Sequence, residues 1–77
     1  MLINVYDAND LSFLGTFDSI KALCSHFRLD YKKQHGNISS VCTRKQKTLM
    51  GKYILRHAYD DEFAYKIKQK EVHNGKT

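Results

Sequence analysis

Four apolar residues, Ile20, Leu23, Cys24 and Phe27, follow the i, i+3, i+4, i+7 spacing of a helix with one buried stripe, and two runs of a different period stand before them. Leu2 to Tyr6 and Leu11 to Phe17 are rich in β-formers and flank Asp7-Ala8-Asn9-Asp10, a polar cluster suited to a tight turn. Alternation places Ile3 and Val5 on one face of the first strand and Leu11, Phe13, Gly15 and Phe17 on one face of the second. The switch of period within so short a span predicts an α+β fold that opens with a β-hairpin and passes directly into a helix capped by Asp18 or Ser19.

A second stripe at Ile38, Val41 and Cys42 predicts another short helix, with Asn37 as its cap and Gly36 as a break before it. Residues 30–36 fit either a loop or an early turn of that helix. Lys52 to Ala58, led by Gly51, predicts a returning strand, and Asp60, Asp61 and Glu62 suit the positive end of a C-terminal helix marked by Tyr59, Phe63 and Ile67, with residues 72–77 frayed. The expected organisation is one domain over residues 1–59 followed by a helix or tail over 60–77. With 77 residues and a 42% apolar fraction the chain supports a small core and no deep pocket, which favours binding over catalysis.

Charge is unevenly spread. Residues 1–19 carry three acids and no base; residues 20–58 carry nine bases against Asp30 alone, a segmental charge of +8; the remainder is balanced. A basic segment that also has apolar periodicity predicts a folded cationic face, which attracts polyanions. Cys24 and Cys42 fall within the apolar patterns and lack metal or redox spacing, so both are expected in the core. His26, His35, His57 and His73 form no ligand grouping, no nucleophile accompanies the carboxylate run, and the glycines are too sparse for a phosphate loop; neither enzyme nor metal or cofactor binding is expected. The opening residues lack a secretory leader and no stretch is apolar enough to span a bilayer, so a cytoplasmic protein with no membrane contact is expected.

The segment from Asn37 to Thr48 concentrates the chemistry. On a helix starting after Asn37, Ser39, Ser40, Thr43 and Arg44 lie outward, small hydroxyls followed by a cation. Such a face approaches a groove closely, with Arg44, Lys45 and Lys47 available to phosphates or, for arginine, to guanine. Lys32, Lys33 and Asn37 add donors upstream and Lys52 adds a cation downstream.

These residues resemble a known family. Phe17-x-Ser19-Ile20-x-x-x-Cys24, Ile38-Ser39-Ser40-Val41-Cys42, Lys45-x-Lys47-Thr48-x-x-Gly51 and Tyr53-Ile54-Leu55-Arg56 are similar, over about residues 3–58, to the nuclease-associated modular domains of phage and intron-encoded homing endonucleases. The nearest type is the intron-encoded nuclease repeat with a helix-turn-helix core. The resemblance implies that the isoleucine-serine helix enters the duplex, with Ser39, Ser40, Thr43 and Arg44 facing it, and that a phage or mobile element encodes the chain. This sequence departs from the pattern where Arg44 replaces the usual turn glycine, where Ile54 or Leu55 stands for an aromatic, and in a longer connection from Arg28 to Asn37. No HNH or GIY-YIG nuclease segment accompanies it, so cleavage is not implied. The expected partner is double-stranded DNA, in a regulatory or targeting role. A second copy of the chain, through the C-terminal segment, is a further expected contact, and the rival reading is a module that binds and inhibits or redirects a host protein.

Overall fold

A computed structural model describes residues 2–64. Strands β1 (Ile3–Asp7), β2 (Phe13–Phe17) and β3 (Tyr53–His57) form an antiparallel sheet in the order β2-β1-β3, and helices α1 (Ile20–Phe27) and α2 (Tyr31–Cys42) lie between β2 and β3 in the chain. The fold is α+β, with the hairpin, two helices and returning strand that the period changes predict. β1 is central because it is apolar or hydrogen-bonded on both faces: Ile3, Asn4, Val5 and Tyr6 are all buried. Ile3 and Val5 meet Leu23, Cys24, Ile38, Val41, Cys42, Leu49 and Leu55 in the core, and Phe17, Ile20, Phe27, Leu29 and Tyr53 close its rim. Both cysteines are therefore core residues with free thiols. Burial pushes both thiols up, that of Cys42 to about 11.

The hairpin departs from simple alternation. Ile3 pairs with Phe17 and Val5 with Gly15, but Tyr6 pairs with Phe13, so a bulge inserts Leu14. One extra residue moves Phe13 to the face opposite Ile3 and Val5, where its ring lies 5.6 Å from that of Tyr6 and stays half exposed. Leu11 stands outside the strand, in the left-handed region at φ 62°. The expectation of one shared face for Leu11, Phe13, Gly15 and Phe17 is thus corrected to Gly15 and Phe17 alone. The loop itself is held by Asp7 and Asp10, whose carboxylates accept from the amides of Asn9 at 2.7 Å and Ser12 at 2.9 Å.

Ser19 caps α1, its hydroxyl accepting from the Ala22 amide at 3.0 Å. Arg28 ends the helix in the left-handed region at φ 58°, and the Leu29 amide closes the last turn onto the Cys24 carbonyl at 2.8 Å. Two residues later Asp30 caps α2, accepting from the Lys32 amide at 3.0 Å. Here the structure decides between the two readings open for residues 30–36: they form the cap and early turns of the helix, which begins at Tyr31, so that Asn37 is not its cap, Gly36 is not a break, and both lie in its middle. Asp30 supplies the cap one turn after α1 ends, and neither Gly36 nor Asn37 interrupts the backbone ladder once the helix has started. The second helix is consequently the longer of the two.

The opposite face of the sheet carries a polar latch. The Asp61 carboxylate is buried and accepts from Asn4 Nδ2 and the Tyr6 hydroxyl, both at 2.6 Å, through one oxygen. Its other oxygen accepts from the amides of Phe63 at 2.9 Å and Ala64 at 3.1 Å, capping a helical turn at residues 62–64. Thr16 donates to Asn4 Oδ1, and Phe63 packs its ring 5.3 Å from that of Tyr6, so residues 60–64 are fastened onto the sheet. Burial, reinforced by the Asp61 charge, raises the Tyr6 phenol well above its ordinary value. Ile67 and the frayed end expected at residues 72–77 lie outside the described residues.

Candidate nucleic-acid interface

An early start for α2 gives it an outer face longer than the sequence pattern implies. Lys32, Gly36, Ser39 and Thr43 follow one another at i+3 and i+4, with Lys33, Asn37 and Ser40 beside them. All are exposed except Ser40, which is half buried. The inward positions Ile38, Val41 and Cys42 fix this face outward by burying the other one.

Of the hydroxyls, Ser39 is exposed and the Thr43 hydroxyl donates back to the carbonyls of Ser39 at 3.0 Å and Ser40 at 3.3 Å, leaving its oxygen free to accept. Asn37 donates to Gln34 Oε1 at 3.2 Å on the exposed surface. The basic turn then folds back on the helix, since the Ser40 carbonyl accepts from the amides of Lys45 at 2.8 Å and Gln46 at 3.2 Å. Lys45 and Lys47 are exposed on it. Lys52 is exposed at another place, in the turn before β3, where its carbonyl accepts from the Ala8 amide at 2.9 Å.

Lys32, Lys33, Lys45, Lys47 and Lys52 have no side-chain partner among the described residues, but Arg44 does. Its backbone takes φ 65°, a left-handed conformation that glycine adopts without cost, and its guanidinium, although on the surface, is engaged by acceptors of the same chain. Nη1 donates to Asp60 Oδ2 at 2.8 Å, and Nη2 donates to the Asp60 carbonyl at 2.9 Å and to Glu62. Glu62 also accepts from Arg56 Nε at 2.6 Å, and the Arg56 guanidinium lies 5.3 Å from the centre of the Phe63 ring. Burial pushes the Glu62 carboxyl up, but hydrogen bonds from Arg44 and Arg56 outweigh it and hold the group below the usual carboxylate range. The same bonds, led by that from Glu62, raise the guanidinium of Arg44. Arg44 therefore ties the basic turn to residues 60–62 instead of presenting its fork to a ligand.

One feature of the site escapes a reading by pattern. Gly36 is exposed in mid-helix, and a methyl added there would meet nothing within 4 Å. A glycine in a helix interior costs about 0.5–1 kcal/mol relative to alanine. No contact within the described residues requires it. The acid-free interval already legible in the sequence, residues 31–59, covers the whole of α2, the basic turn and β3.

Among the described residues no three His, Cys, Asp or Glu side chains come together as metal ligands, and no helix is long and apolar enough to cross a membrane. No family model, curated protein or solved structure matches this chain.

Proposed function

We propose that this protein binds double-stranded DNA without cleaving it, laying the outer face of α2 along a groove and its basic turn against the backbone. The observation that carries the reading is the composition of that face: Lys32 and Lys33 at one end, Gly36, Asn37 and Ser39 in the middle, Thr43 and the exposed Lys45 and Lys47 at the other; α2 and its basic turn contribute no carboxylate of their own, while Asp30 caps the first turn and Asp60 and Glu62 are paired with Arg44. Small side chains permit close approach, and the flanking ammonium groups replace condensed counterions. Likeness to the nuclease-associated modular domains supports the same orientation of the helix and a regulatory or targeting role in the cytoplasm of a host cell.

Arg44 is excluded from the set of phosphate contacts by its engagement with Asp60 and Glu62, which leaves Lys32, Lys33, Lys45, Lys47 and Lys52. Five neutralised phosphates give a log-log salt slope of about −4.5. Fluorescence anisotropy of a labelled random duplex across a salt series tests this, and a flat dependence defeats the reading. One observation favours the rival, a protein-binding module: the edge strand β2 carries no charged residue and leaves Phe13 and Leu14 exposed. A partner retained from lysate after nuclease treatment, with no affinity for DNA, would decide for it.

A further inference from the structure

We propose that Met50 is an apolar wedge that enters between stacked base pairs of duplex DNA; the inference rests on the DNA-binding reading and adds to it a point of insertion and a deformation of the duplex. Met50 occupies the first central position of the tight turn Leu49–Lys52, closed by the Lys52 amide on the Leu49 carbonyl at 2.9 Å. Met50 and Gly51 both have positive φ, 54° and 68°. That pair of conformations belongs to a turn whose first position favours asparagine, aspartate or glycine, because a side chain there crowds its own backbone. The protein instead holds a long, flexible, apolar side chain in the strained position and leaves it 46% exposed. Met50 is not part of the core cluster: the core contact of the turn is made by its neighbour Leu49, which is fully buried.

Strain combined with exposure of an apolar tip indicates a role outside the chain. The surroundings specify which. Lys47 and Lys52 are exposed on either side of Met50, and Lys45 follows α2 two residues before Lys47, within the acid-free interval from residue 31 to residue 59. Thr43, at the end of the α2 face, is seven residues from Met50, a span of at most about 25 Å. An exposed apolar side chain on a turn, with lysines close to it in sequence, is suited to unstack a base step while its neighbours hold the phosphates. Met is unbranched and fits an irregular slot between bases.

The adjacent loop provides an internal control. Leu11 is also exposed and left-handed, at φ 62°, but it follows Asp10, and Asp7 lies at the base of its loop. The two loops are joined by the hydrogen bond from the Ala8 amide to the Lys52 carbonyl. Leu11 shares the strain of Met50, but its neighbours in sequence are Asp7 and Asp10 where those of Met50 are Lys47 and Lys52.

A duplex of alternating thymine and adenine with 2-aminopurine at a central step, whose pyrimidine–purine steps unstack easily, reports both events: anisotropy reads binding and 2-aminopurine emission reads unstacking. The expected result is a rise in emission when the wild-type protein saturates the duplex. Met50→Asn, a residue suited to the turn, should bind but lose the rise; Met50→Leu should keep it, and Leu11→Asn should leave it unchanged. Binding by the wild type with no rise, or a rise preserved in Met50→Asn, overturns the wedge and leaves DNA binding intact. Absence of any binding by the wild type removes the DNA-binding reading and the wedge with it.

Discussion

Arg44 and Asp60, sixteen residues apart, are joined twice: the guanidinium donates to the carboxylate at 2.8 Å and to the backbone carbonyl at 2.9 Å. With Glu62 as a third acceptor, the arginine that a motif reading places against DNA serves to position the basic turn. Its left-handed backbone, roughly 1–2 kcal/mol unfavourable for a side chain, is set against these charge-assisted bonds. Replacing both carboxylates, as Asp60→Asn with Glu62→Gln, should release Arg44 toward phosphate and steepen the salt slope of DNA binding by about 0.9. Arg44→Gly should leave the slope of the wild type unchanged. Anisotropy titrations over the same salt series check both.

Acid should loosen this corner of the molecule. The Glu62 carboxyl is held below its ordinary value by Arg44 and Arg56, so in the folded state it stays ionised where the unfolded chain would bind a proton. The sign follows: its contribution is fully present above the ordinary glutamate range and is lost as pH falls through the depressed folded value. Urea unfolding of the wild type should therefore show stability declining with acidification through that range. Glu62→Gln, lower in stability near neutrality, should show a shallower decline.

The Asp61 carboxylate should matter more than its neighbours. Asn4 and Tyr6 turn their donors to it from 57 and 55 residues earlier in the chain, on a part of the sheet where water does not reach. Asp61→Ala leaves both donors buried without an acceptor and removes the cap at residues 62–64, a loss of about 2–4 kcal/mol. Tyr6→Phe removes a donor and keeps the acceptor satisfied by Asn4, and should cost about 1 kcal/mol. Thermal or urea unfolding monitored by circular dichroism gives both values.

How much of this was legible follows from where each signal is stored. α1 was readable because Ile20, Leu23, Cys24 and Phe27 all pack on or around one core and Ser19 stands directly before them. The first half of α2 was not, because Tyr31 to Asn37 are exposed or half buried and carry no apolar period; Asp30 was the only local sign of its start. The bulge at Leu14 depends on Gly15 at φ 146°, a conformation a sequence does not display. Asp60, Asp61 and Glu62 read as a solvated helix start, since their partners Arg44, Asn4 and Tyr6 are distant in the chain. The lysines of the candidate interface were found by charge alone. Local charge showed that Arg44 is cationic, while only the fold shows that its cation is already taken.

Gly36 separates the demands of the fold from those of a ligand. If stability alone set this position, alanine would be preferred, because α2 is helical on both sides of it and a methyl group would enter open space. Gly36→Ala should accordingly raise the unfolding free energy by about 0.5–1 kcal/mol in urea titrations. If the outer face of α2 lies close to a groove, the same methyl group meets the duplex and affinity falls, while the salt slope stays as it was because no charge has changed. A larger residue extends the argument: Gly36→Leu, still a good helix former on an exposed surface, should fold and bind more weakly than Gly36→Ala. Variants that gain stability and bind DNA as the wild type does would show that the duplex approaches the protein elsewhere. Stability and affinity moving in opposite directions across the series would locate the contact on this face of the helix.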